Sequence, residues 1–163
     1  MSLSEEVIKN AIDSVKKIQD AIDKIAQRKG LDQKRKEEFG SAFRGRTREF
    51  PEFVESLGLL PSLTFAYAKA GKLAYRGVCS LIDTGNIDKE ALNELDKTKF
   101  GYGSYLHEVL YYIERNVMKD IDHTNPIASF EKMYGKTHII KQLLMPYLLE
   151  VKKLAEALFK PER

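Results

Sequence analysis

The sequence predicts an all-α fold, a compact single-domain bundle of six or seven helices over residues 1–163. Apolar residues recur at steps of three and four through residues 1–30 and again in later stretches. No segment shows the apolar–polar alternation of a half-buried strand. There is no internal repeat, and 43% hydrophobic with 31% charged residues suits one core under a solvated surface.

The first helix is the clearest. Ile8, Ala11, Val15, Ile18, Ile22 and Ile25 form a heptad seam, suited to packing within a bundle or against a second copy. Ser2 and Glu5 have capping-box spacing, and Gly30 is a natural C-terminal stop. Asp32 opens an exposed helix, and "GSAFRGRT", with Gly40 and Gly45, reads as loop or frayed helix. Pro51 suits the first turn of a short helix ending at Gly58. Pro61 starts a long helix with Leu63, Ala66, Ala70, Ala74, Val78 and Ile82 on its apolar face. Asp88 caps a short helix that ends near Leu95. "DKTKFGYG" reads as loop, and Ser104 as the cap of a helix whose apolar face extends to Val117 and Ile121. "DHTNPI" breaks that helix. The last apolar stretch, from about Ile127 to Phe159, is helical, bent or split at Gly135 and Pro146.

Composition narrows the function. The net charge of +3 permits a nucleic-acid partner without arguing for one. One cysteine, Cys79, rules out an intrachain disulfide and fits a reducing cytoplasm; it reads as a buried small residue. The N-terminus lacks an apolar signal core, and no apolar run is long enough to span a membrane.

Catalytic patterns are missing. "HEVLY" places Tyr111 where a metalloprotease helix needs its second histidine. His123 reads as a solvated loop residue and His138 as a helix-surface residue, so no metal or other cofactor is expected. "GYGSYL" lacks the third glycine and the preceding strand of a dinucleotide loop. There is no phosphate-binding Gly-Lys-Ser/Thr loop and no nucleophile elbow. The chain therefore reads as a binding or assembly module, not an enzyme.

Positive charge is concentrated. Lys34, Arg35 and Lys36 precede Arg44, Arg46 and Arg48, and Lys69, Lys72 and Arg76 follow on the next long helix. Arginine forks match phosphate oxygens in pairs, so these groups suit a nucleic-acid backbone if the fold gathers them. A solvated face bridged to Glu37, Glu49 and Glu52 accounts for the same residues. Tyr67, Tyr75, Tyr102, Tyr105, Tyr111 and Tyr112 are available for base stacking, though their helical spacing also suits core or rim packing.

The order of these features resembles a known family. Arg46 or Arg48, then Pro51, Val54, Gly58 and Leu59, are followed by Leu63, Phe65, Ala68 and Lys69. With "LHEVLYYIERNV" and the aromatic- and leucine-rich tail, this resembles the small subunit of type III-B, Cmr-type CRISPR–Cas RNA-targeting effector complexes. The resemblance runs from Arg44 to Lys160, plus the long first helix; Pro61 and Pro146 depart from it. It implies an α-helical antiviral-defence subunit without an active site, stacked head-to-tail in the minor filament. Its partners would be other effector subunits and the guide and target single-stranded RNA. Arg44, Arg46, Arg48, Lys69, Lys72 and Arg76 are the expected RNA-binding residues, and reversing Arg46 and Arg48 is expected to leave folding intact.

Two alternatives stay open. "PEFVESLGLLPSLTFAYAKAG" can be read as the helix-turn-helix of a DNA-binding regulator, although its second helix starts with mostly apolar Ser62-Leu63-Thr64-Phe65. A protein-binding scaffold without nucleic acid is the other.

Overall fold

A computed structural model describes residues 1–163, which form eight helices and no strand. The first, α1 (Leu3–Lys29), is closed at both ends as its sequence predicts. Ser2 Oγ accepts from the Glu5 N–H at 3.2 Å, and Gly30 takes a left-handed conformation with φ 67°. The seam from Ala11 to Ile25 is buried, whereas Ile8 is 41% exposed. The helix packs chiefly against the last helix, α8 (Thr137–Leu158).

The second element differs from expectation. α2 (Gln33–Leu57) runs unbroken through Gly40, Gly45 and Pro51. Its glycines are packing residues, not turn residues. A Cβ on Gly40 would sit 2.5 Å from the Phe159 ring, and one on Gly45 would run into the Glu162 carboxylate. The C-terminal tail thus lies where two side chains are missing, which offsets a helix penalty of about 1 kcal/mol per glycine. Pro51 is buried inside the helix and has no N–H to give the Thr47 carbonyl.

Gly58 (φ 98°) ends α2, and α3 (Leu59–Ala70) follows at once, with Pro61 in its first turn. The expected long helix is broken at Gly71, whose φ of 82° lies in the region that favours glycine. α4 (Lys72–Thr84) continues beyond it. Asp88 caps α5 (Lys89–Glu94), as expected.

"DKTKFGYG" is helix, not loop. α6 (Lys97–Asn116) begins at Asp96, which accepts from the Lys99 N–H at 2.8 Å. A Cβ on Gly101 would lie 3.0 Å from the Ala42 backbone, so this glycine also serves close helix contact. Ser104 is no cap: it is buried mid-helix and donates to the Phe100 carbonyl at 2.6 Å. The helix stops earlier than predicted, leaving Val117 at its cap and Ile121 in the following turn. α7 (Pro126–Lys132) follows, Gly135 (φ 76°) separates it from α8, and Pro146 lies inside α8.

The count is eight because α2 joins two predicted helices while Gly71 and Gly135 each divide one. α6 is the axis, flanked by α2, α3 and α4, and α8 closes over α1 and α2. One continuous apolar cluster draws on α1, α2, α3, α4, α6, α7 and α8. Within it Tyr105 receives Phe43 and Phe50 edge-on at 5.9 and 5.1 Å. No helix is long and apolar enough to cross a membrane.

The same close approach occurs between α4 and α5. A Cβ on Gly77 would stand 2.6 Å from the Ala91 Cβ and 3.0 Å from Ile87. Gly77→Ala should therefore lower stability by about 1–3 kcal/mol through overpacking, against a helix-propensity gain of about 1 kcal/mol. Urea denaturation measures the difference; a stabilised variant would mean that α5 does not hold this position.

Candidate nucleic-acid interface

The three alternate arginines do not form a row. At 100° per residue along α2, Arg44 and Arg48 share a face and Arg46 points nearly opposite. Arg44 Nη1 donates to the carbonyls of Glu156 and Phe159 at 3.1 and 2.9 Å. It closes the C-terminal end of α8, where orphan carbonyls and the helix dipole favour a cation.

Arg46 is 8% exposed. Its Nη2 donates to Glu49 at 2.9 Å and to Glu162 at 3.1 Å, and its guanidinium lies 4.4 Å from the centre of the Tyr102 ring. The basic stretch and the tail are thus bound to each other. Arg48, Lys69, Lys72 and Arg76 are exposed and make no ion pair. Lys69 and Lys72 flank the Gly71 break, and Arg76 lies one turn beyond Lys72 on α4.

The bridged-surface alternative is realised only in part. Glu49 does pair with Arg46, but Glu37 pairs with Lys160 and Lys36 with Asp23. Of the tyrosines, Tyr75, Tyr105 and Tyr112 are buried, and Tyr102 is occupied by Arg46. The start of α3 buries Ser62 and Leu63 in the core, which removes them from the base-reading position of a recognition helix.

His123 is not a solvated loop residue. Its side chain is 12% exposed, and both ring nitrogens are engaged: Nε2 with Asp83 Oδ2 at 2.8 Å, Nδ1 with Glu114 Oε1 at 2.8 Å. His107, fully buried, repeats the arrangement with Asp83 Oδ1 at 2.9 Å and Glu108 Oε2 at 2.6 Å. Burial opposes the charged form of both rings, but the carboxylates outweigh it, raising His107 above its ordinary value and His123 to about 9. Burial also works to raise the Asp83 carboxyl, yet its two histidine bonds hold it well below the usual range. Glu108, buried and opposed by the same desolvation, is held low by His107 and by Lys17, whose Nζ is 3.1 Å away. These residues come from α1, α4, α6 and the segment before α7, so no local spacing announces them. His138 is exposed on α8, as expected.

Cys79 is buried, and desolvation pushes its thiol up to about 12. A thiol in that state is a poor nucleophile at neutral pH.

The expectation that Arg46 can be reversed without harm to folding is revised. Arg46→Ala should cost about 1–3 kcal/mol by removing the buried guanidinium that joins Glu49, Glu162 and the Tyr102 ring, whereas Arg48→Ala should change stability by less than about 0.5 kcal/mol. Thermal or urea unfolding of the two variants measures the contrast, and equal effects would refute it.

No family model matches the chain. Over 161 residues it is 28% identical to the CRISPR system CMR subunit Cmr5 of Saccharolobus solfataricus, covering 94% of each protein. Its fold matches a chain of the type III-B Cmr-β complex, solved by cryo-electron microscopy with cognate target RNA and AMPPnP bound. That match has a TM-score of 0.72 at 23% identity and covers 99% of this chain and 100% of the other.

Proposed function

We propose that this chain, a homologue of Cmr5 of a type III-B CRISPR system, is the small subunit of an RNA-guided antiviral effector complex in the cytoplasm. The observation that carries the reading is the relationship to Cmr5 along nearly the whole of both chains. The likeness of the fold to a chain from an RNA-bound Cmr-β complex supports it. The subunit acts as a single domain, with other effector subunits and the guide and target RNA as its partners. It stacks head-to-tail in the minor filament and takes no direct part in catalysis, a role that suits its inert buried thiol.

Within that role the basic residues divide. Arg48, Lys69, Lys72 and Arg76, exposed and free of acidic partners, contact the RNA backbone. Arg44 and Arg46 hold α2 against the tail and set the surface that presents them. Each contact alone is weak and salt-dependent; affinity accumulates when copies share one RNA.

The test is a titration of single-stranded RNA and duplex DNA onto the assembled complex, and onto the purified chain, at two salt concentrations, with light scattering. Replacing Arg48, Lys69, Lys72 and Arg76 by glutamate should leave folding intact and weaken RNA binding in the complex. The slope of log affinity against log salt should flatten by up to about 0.7 for each lost contact. Unchanged affinity and slope would remove these residues from the interface. Specific duplex binding by a discrete dimer would replace the proposal with a DNA-binding regulator.

A further inference from the structure

His107 and His123 both turn Nε2 towards one carboxylate, Asp83, and both have Nδ1 held by a separate carboxylate, Glu108 and Glu114. Metal-ligating histidines have this form: one nitrogen binds the ion, and a second carboxylate fixes the ring through the other. We propose that Asp83, His107 and His123 form a binding site for a divalent transition-metal ion of the zinc type, with Glu108 and Glu114 as its outer carboxylates.

The three ligating atoms lie within 4.8 Å of one another. Metal–ligand distances of about 2.0–2.2 Å place neighbouring ligands of a tetrahedral ion about 3–3.5 Å apart. Asp83 meets the two rings through different oxygens, Oδ1 with His107 at 2.9 Å and Oδ2 with His123 at 2.8 Å, so its carboxylate must turn to give one oxygen to an ion held between the rings. Two imidazoles and one carboxylate select zinc, cobalt or nickel over calcium or magnesium, which take oxygen ligands. Three protein ligands leave a fourth position for water, and the partial exposure of Asp83 and His123 opens the site to solvent there.

A divalent ion there would face three carboxylates, Asp83 as ligand and Glu108 and Glu114 behind the rings. The ion joins α4, α6 and the segment before α7, which is also held by the bond from Tyr75 to the His123 carbonyl at 2.6 Å. A second group, Glu114, Asp122 and His123, is the poorer candidate: it has one nitrogen ligand, and Asp122 already accepts from the N–H and hydroxyl of Thr124.

Cobalt(II) titrated alone into the chelator-treated full chain tests the site, because tetrahedral cobalt absorbs visibly and hydrated cobalt barely does. One equivalent with a tetrahedral spectrum is expected, displaced by zinc and accompanied by a rise in Tm. His123→Gln should abolish the spectrum and the rise while circular dichroism stays helical. Glu114→Gln should keep the ion but weaken it by roughly 10- to 100-fold. His138→Gln should change nothing. No stoichiometric binding, or binding indifferent to His123, would overturn the assignment. So would an intense thiolate band, which would move the ion to Cys79, one turn earlier on α4.

Discussion

The burial of α6 within the bundle governs the rest of the structure. A helix enclosed on several sides can be approached closely only where side chains are short or missing. Gly101 meets the Ala42 backbone, whereas a Cβ on Gly103 would stand in ordinary contact with Ala70, Val78 and Tyr75, at 3.5 to 3.9 Å. With backbones this near, the larger rings of the core take the remaining space, so Tyr105 lies between α6 and α2 against Phe43 and Phe50. A larger residue at Gly101 would push apart helices that must also bury their apolar faces together.

The same enclosure explains the charged interior. α6 turns His107 and Glu108, adjacent in sequence, into the bundle, where neither can stay ionised without partners. Lys17 arrives from α1 and Asp83 from α4, and His123 returns from beyond the end of α6. Tyr111 stacks nearly parallel to His107, with Lys17 Nζ 3.9 Å from the centre of its ring. Each charge thus constrains a different element, and the network fixes how α1, α4 and α6 meet, a specificity apolar contacts alone supply less sharply.

Helices governed by local chemistry were legible in the sequence. α1 carries its own period, cap and stop, and Asp88 and Gly58 mark boundaries by side-chain and backbone preferences that need no partner. Gly40, Gly45 and Gly101 were misread because a glycine that breaks a helix and one that admits a neighbour look alike until the neighbour is known. The basic stretch was visible as composition. Its division into exposed Arg48 and enclosed Arg44 and Arg46 depends on the tail, more than a hundred residues later. The charge cluster was hidden for the same reason: residues 83, 107 and 123 share no helical period.

The pairing of α1 with α8 has a kinetic side. Helical bundles usually fold fast because most of their contacts join near neighbours in the chain. Here the first helix buries its seam against the last, and α2 also packs on α8. Closing a loop of nearly the whole chain costs entropy before that contact repays it. Loosening either end of the chain reopens the same apolar surface.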